Sequence, residues 1–171
     1  HQIDDQLVTI VRPGRLLDQR ERREKMDLKL KGKVAIITGG SDGIGKAAAL
    51  SLSREGARVA IAARTEATLA KAAKEIIDET GNEVIGIPTD VTDEAQVEAL
   101  INEVVSKWGG IDILVNNAGT SSVARLQDLS NEQMMGDIQL KVYGAIYCAR
   151  HALEHLKRSE SAVIINTTTP G

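Results

Sequence analysis

From Lys33 onward the chain alternates short β-branched apolar runs with amphipathic stretches, and that rhythm leaves few folds open. The runs occupy residues 34–37, 59–62, 84–87, 111–115 and 162–165. Polar residues do not alternate through them, which predicts strands buried on both faces. Between the runs lie helical patterns. Ile44, Ala48 and Leu52 fall on one face ahead of Gly56, and Leu69, Ala72, Ala73 and Ile76 on another between Thr65 and Gly81. Val97, Leu100, Ile101, Val104 and Trp108 form a third, where Asp93 and Gln96 have the spacing of a capping box. Ser130 and Gln133 make a second such box. It opens a long stretch through Met134, Ile138, Ala145, Ala149, Leu153 and Leu156, about 27 residues or ~40 Å of helix.

Strict alternation of strand and helix means right-handed crossovers and a parallel sheet covered on both sides. The predicted class is therefore α/β, a Rossmann-type doubly wound parallel sheet in a three-layer αβα sandwich. Composition agrees: with one Trp, two Tyr and no Phe, the core must be built from Ala, Val, Ile and Leu. The 171 residues suit one domain, and 42% hydrophobic with 26% charged residues excludes collagen and charge-driven disorder. A net charge of −3 offers no basic excess for nucleic acid. No apolar run approaches the ~20 residues of a membrane span. The single cysteine, Cys148, cannot close an internal disulfide, so a cytoplasmic setting is expected. Residues 1–25 are polar and charge-dense, with a Pro13-Gly14 break and an unbroken charge run at 20–25. They are expected to be an extension ahead of a natural start at Met26, with residues 26–171 forming the domain.

The first strand runs into TGGSDGIG at 38–45, where Gly39, Gly43 and Gly45 are spaced Gly-x-x-x-Gly-x-Gly. Glycine lets the backbone turn sharply and lets a pyrophosphate approach without meeting a Cβ, while the helix that follows aims free N–H groups at the anion. A purely structural βα turn also uses glycine; the strand–turn–helix context favours a dinucleotide site. A dinucleotide fold normally carries an acid about 20 positions further on to read the adenosine ribose. Here Ala63 and Arg64 stand there, Arg64 being 19 residues past Gly45. An arginine suits a 2′-phosphate, so NADP(H) is favoured over NAD(H). Asp42, inside the glycine turn, argues mildly the other way.

Together with TGGSDGIG, Asp90-Val91 after the third strand and Asn116-Asn117-Ala118-Gly119 after the fourth resemble the short-chain dehydrogenase/reductase family, of the type that includes 3-oxoacyl-carrier-protein reductases. The likeness covers residues 28–171. It implies that Gly39, Ser41, Asp42, Gly43 and Ile44 form the turn along the pyrophosphate and ribose. Arg64 is implied near the adenosine phosphate, Asp90 and Val91 against adenine, and Asn117, Ala118 and Gly119 beside the cofactor ribose. It further implies hydride transfer between the nicotinamide and a small carbonyl or secondary-alcohol substrate. A homo-oligomer, dimer or tetramer, is implied through the outer face of the long fourth helix; by periodicity alone that face is equally compatible with solvent.

The family's catalytic set matches less well. Its serine position falls on Thr169 and its helix asparagine position on Lys141, while Tyr143 and Tyr147 have no lysine four residues on. The family's Tyr-x-x-x-Lys helix and its last two strands are expected beyond Gly171, so that five of seven strands are present and the fragment alone is inactive. Against this stands a non-catalytic nucleotide-binding or regulatory protein, towards which Thr169 and Lys141 lean. A methyltransferase, the third class, is opposed by the glycine spacing and by Asn116–Gly119 as a unit. His151 and His155 stand one helical turn apart but lack an evident acidic third ligand, so no metal is expected.

Overall fold

The computed structural model describes residues 27–119 and 126–167. Within them the alternation resolves into β1 (Val34–Thr38), α1 (Gly43–Arg54), β2 (Arg58–Ala63), α2 (Glu66–Thr80), β3 (Val84–Pro88), α3 (Glu94–Trp108) and β4 (Ile113–Asn116). A short 3-10 turn (Leu126–Asp128) precedes α4 (Asn131–Ile138), which passes through a π turn (Gln139–Tyr143) into α5 (Gly144–Leu156) and then β5 (Val163–Asn166). The proposed extension at residues 1–25 lies outside the described residues, as does Thr169.

All strands are parallel in the order β3-β2-β1-β4-β5. Chain order reverses beside β1, which pairs with β2 on one side and β4 on the other. Two apolar layers sandwich the sheet. On one face Ala35, Ile37, Val59 and Ile61 meet Ala49 of α1 and Leu69, Ala72 and Ile76 of α2. On the other, Ile36, Ala60 and Leu114 meet Val97, Leu100 and Val104 of α3 and Cys148, Ala152 and Leu156 of α5. Small aliphatic side chains allow this close layering without aromatic filler.

The helix boundaries follow their capping residues. Thr65 and Gly81 bracket α2, with Gly81 in the left-handed conformation (φ 71°) that ends a helix. Asp93 caps α3 by accepting from Ala95 N and Gln96 N. Its Gln96 departs from a closed capping box: the side-chain oxygen accepts instead from Asp90 N at 2.9 Å, tying the helix start to the end of β3. Ser130 and Gln133 form a reciprocal box at α4.

Three expectations are corrected. The buried face of α1 is Gly45, Ala49 and Ser53, while Ile44 is 68% exposed. The helix lies so close to β1 that only small side chains fit beneath it. The strand at 163–166 is exposed along its whole length, because among the described residues it stands at the sheet edge with a strand on one side only. The long helix is interrupted by a π turn, and its buried face is Gly144, Cys148, Ala152 and Leu156, leaving Met134, Ile138 and Leu153 exposed. The stretch before the π turn buries no residue, and after it the buried face follows Gly144, Cys148 and Ala152, one position ahead of the expected Ala145, Ala149 and Leu153.

Candidate cofactor site

At the carboxyl ends of β1 and β4, where strand order reverses, an open α/β sheet forms its natural crevice. Thr38, the last residue of β1, organises it. Its buried hydroxyl oxygen accepts from Asn117 N at 2.9 Å and Ala118 N at 3.0 Å, and its proton faces Val115 O at 3.4 Å. Asn117 returns the link by donating Nδ2 to Thr38 O (3.2 Å) and Gly39 O (3.3 Å). The turn after β4 is thereby fastened to the turn after β1.

The glycines have separate reasons. Gly39 has φ 65°, and a Cβ there would lie 3.0 Å from Ala118 Cα. Gly45 has no room at all: a Cβ would collide with the Gly39 carbonyl, which is why α1 can lie close on the strand. A Cβ on Gly40, a position the spacing pattern passes over, would come within 2.7 Å of Ile61. Gly43 differs, having φ 54° but nothing within 4 Å of the missing side chain. Packing does not demand that glycine; it leaves space over the start of α1. The N-cap residue Asp42 makes no side-chain capping bond there. A pyrophosphate fits this cradle, with N–H groups of the first turn and the positive end of the helix dipole beneath it.

The other expected positions lie in the glycine turn, after β2, β3 and β4, and in the π turn. Ser41 is half-buried, whereas Asp42, Gly43 and Ile44 are exposed beside it. Arg64 follows β2, exposed and with no carboxylate partner among the described residues. Asp90 follows β3; its Oδ1 accepts from Thr92 N (3.0 Å) and Thr92 Oγ1 (2.7 Å), leaving Oδ2 without a bond among the described residues. Val91 is buried, its side chain seating α5 at Gly144. Gly119 is exposed, and Lys141 of the π turn lies against it: a Cβ built on Gly119 would sit 3.8 Å from Lys141 Cε. Lys141 Nζ is paired with Asp137 Oδ2 at 3.2 Å.

Sequence reasoning missed Thr38 as the organiser and Thr167 as a neighbour, although Thr167 Oγ1 donates to Asn117 Oδ1 at 3.2 Å. A threonine closing a strand ahead of the glycines was the available signal for the first; no local signal marks the second. His151 meets an acid after all, since Nε2 lies 3.2 Å from Glu94 Oε1, which also takes Arg150 at 2.8 Å. This is a clamp between α5 and α3; among the described residues no three His, Cys, Asp or Glu groups are gathered to hold a metal.

Comparison with known proteins shows what the chain is similar to. A family model described as short chain dehydrogenase matches residues 33–170. General stress protein 39 of Bacillus subtilis is 37% identical over 142 residues, covering 82% of this chain and 49% of that protein. Among solved structures, L-sorbose reductase from Gluconobacter frateurii, complexed with NADPH and L-sorbose, superposes with a TM-score of 0.77 at 36% identity, over 81% of this chain and 53% of the other. An NAD+-bound xylitol dehydrogenase superposes with a TM-score of 0.75 at 31% identity, over 80% and 52%. The chain spans about half the length of the curated relatives it matches.

Proposed function

The chain belongs to the short-chain dehydrogenase family, and from that premise we propose that it carries the cofactor-binding part of an NADP(H)-dependent oxidoreductase acting on a carbonyl or secondary-alcohol substrate. The bound nicotinamide would supply or accept the hydride. The residues of this chain bind and orient. Gly39, Ser41, Asp42, Gly43 and Ile44 hold the pyrophosphate at the start of α1, Asp90 Oδ2 accepts from the adenine amine beside Val91, and Asn117, Ala118 and Gly119 border the second ribose. Thr169 and Lys141 stand at the family's serine and asparagine positions.

The observation that carries the preference for NADP(H) is Arg64, a guanidinium without a carboxylate partner among the described residues at the end of β2. Solved relatives support a nicotinamide cofactor of either kind, one being complexed with NADPH and another NAD+-bound. Titration of the chain with NADPH and NADH tests the reading: NADPH binds more tightly, and Arg64→Leu removes most of the difference. Equal affinities in the unmodified chain would overturn it.

The reading includes a homo-oligomer, dimer or tetramer, through the outer face of α4 and α5, supported by exposed Met135, Ile138, Val142 and Ile146. It also includes a cytoplasmic setting, supported by a lone buried Cys148. Among the described residues no helix is long and apolar enough to cross a membrane. The departure at Lys141 favours a second reading, a nucleotide-binding protein without turnover. Tight NADPH binding with no oxidation of NADPH by any carbonyl in a broad panel, measured on the protein encoded by the whole gene, would select it.

A further inference from the structure

We infer that Lys141 is itself a cofactor-binding residue, its ammonium donating to the oxygens of the nicotinamide-side ribose. The inference rests on the dinucleotide reading of the cradle and assigns this side chain a contact beyond its place at the asparagine position.

Three observations converge. The helix widens into a π turn at Gln139–Tyr143, and Lys141 lies within it. Such turns recur at functional sites because they reposition a side chain within an otherwise regular helix. The lysine stem rests against Gly119, with its Cε 3.8 Å from where a Cβ would stand. Gly119 in turn follows Asn117 and Ala118, which are bonded to Thr38 and Gly39 of the pyrophosphate turn.

The chemistry suits the place. An ammonium has three donors and no acceptor. Asp137 takes one of them at 3.2 Å, and the Lys141 side chain remains 44% exposed. An asparagine amide is shorter and has its own acceptor, so it would not set a positive charge at this distance from its helix. A dinucleotide diphosphate carries negative charge, and its ribose presents hydroxyl oxygens able to accept. Asp137 fixes the stem and leaves donors over for those oxygens.

The test compares NADPH with 2′,5′-ADP, which contains the adenosine half alone, on the folded chain. Lys141→Gln weakens NADPH by about tenfold, the loss expected for one charge-assisted hydrogen bond, and leaves 2′,5′-ADP unchanged. Lys141→Arg, which keeps the charge, restores part of the loss. Unchanged NADPH affinity, or equal weakening of both ligands, would overturn the inference, the latter marking a purely structural lysine. Failure of the unmodified chain to bind either ligand would instead remove the dinucleotide reading, and the inference with it. A second measurement needs no variant: NADPH shields Lys141 from amine acetylation, read by mass spectrometry, while 2′,5′-ADP does not. Equal acetylation under both ligands contradicts the contact.

Discussion

Gly144 of α5 and Val91, the residue after Asp90, stand so close that a Cβ on the glycine would lie 2.8 Å from Val91 Cγ2 and 3.3 Å from Val91 O. The loop expected to meet adenine and the helix that follows the π turn are thus packed as one unit. Gly144→Ala gains helix propensity of about 1 kcal/mol but meets a filled space, where overpacking costs about 1–3 kcal/mol. The expected net result is a modest loss of stability in urea unfolding. Adding Val91→Ala removes Cγ2, and the double variant recovers part of the loss. A strictly additive cycle would refute direct contact.

Gly45 and Gly43 lie two residues apart and predict different balances between lost stability and lost binding. Gly45→Ala drives a methyl group against the Gly39 carbonyl, backbone that cannot rotate away, so α1 must lift off the strand. Unfolding free energy should fall by about 1–3 kcal/mol or more. Gly43→Ala meets nothing within 4 Å and bears only the strain of φ 54°, about 1–2 kcal/mol. Its methyl stands in the space assigned to the pyrophosphate, so it weakens NADPH far more than it weakens the fold. Calorimetry of both variants, with and without NADPH, separates the two effects.

Asp112 makes stability depend on acid. Burial disfavours its charge. The Ser159 hydroxyl (2.6 Å), Val34 N–H (2.9 Å) and Lys33 ammonium (3.2 Å) outweigh that and hold the carboxyl below its ordinary value. A pKa lowered on folding contributes stability above the unfolded value near 4, and that contribution is lost as pH falls through the folded one. Asp112→Asn should therefore melt lower than the unmodified chain at about pH 7, with the gap closing towards about pH 3. A gap that stays constant with pH would show that the carboxylate charge contributes nothing.

Cys148 reports on the core layer between α5 and α3. Burial pushes its thiol up to about 12, which leaves almost no thiolate at neutral pH. Iodoacetamide should leave the folded chain unlabelled for hours and react at once in denaturant. Rapid labelling under native conditions would mean that α5 opens readily from α3.

What the sequence disclosed was local. Gly81, Asp93 and Ser130 announce helix ends because caps act within a turn, and Leu69 to Ile76 mark a buried face at constant period. The glycine turn is local in the same way, whereas Asn117 is marked by the family resemblance. Ile44 misled because hydrophobicity says nothing of how closely a helix approaches; the closeness of Gly45 to Gly39 decides that face. The π turn at Lys141 is local, but it breaks the constant period on which a reading of helix faces depends. The Val91–Gly144 contact arises between distant segments, and periodicity within one segment does not contain it. Asn166 bonding to Asn116, 50 residues away, belongs to this group.

The edge strand extends that lesson into a prediction. Val163, Ile164 and Ile165 read as a buried strand, yet they are 45%, 42% and 45% exposed at the border of the sheet. Ile164 lines a shallow groove of about 250 Å³ with Leu153, Leu156 and Ala162, while Val163 and Ile165 pair with Ile113 and Val115 on the opposite face. An apolar edge of this kind also presents unpaired backbone groups, which template association with another chain. The chain should therefore form concentration-dependent aggregates in light scattering. Val163→Lys with Ile165→Lys, on the face opposite the groove, should suppress them at a moderate cost in melting temperature, because each residue is 45% exposed and gives up only part of the buried area of a core position. A sharp, reversible melt of the unmodified chain as a monomer would show that the exposed edge does not drive association.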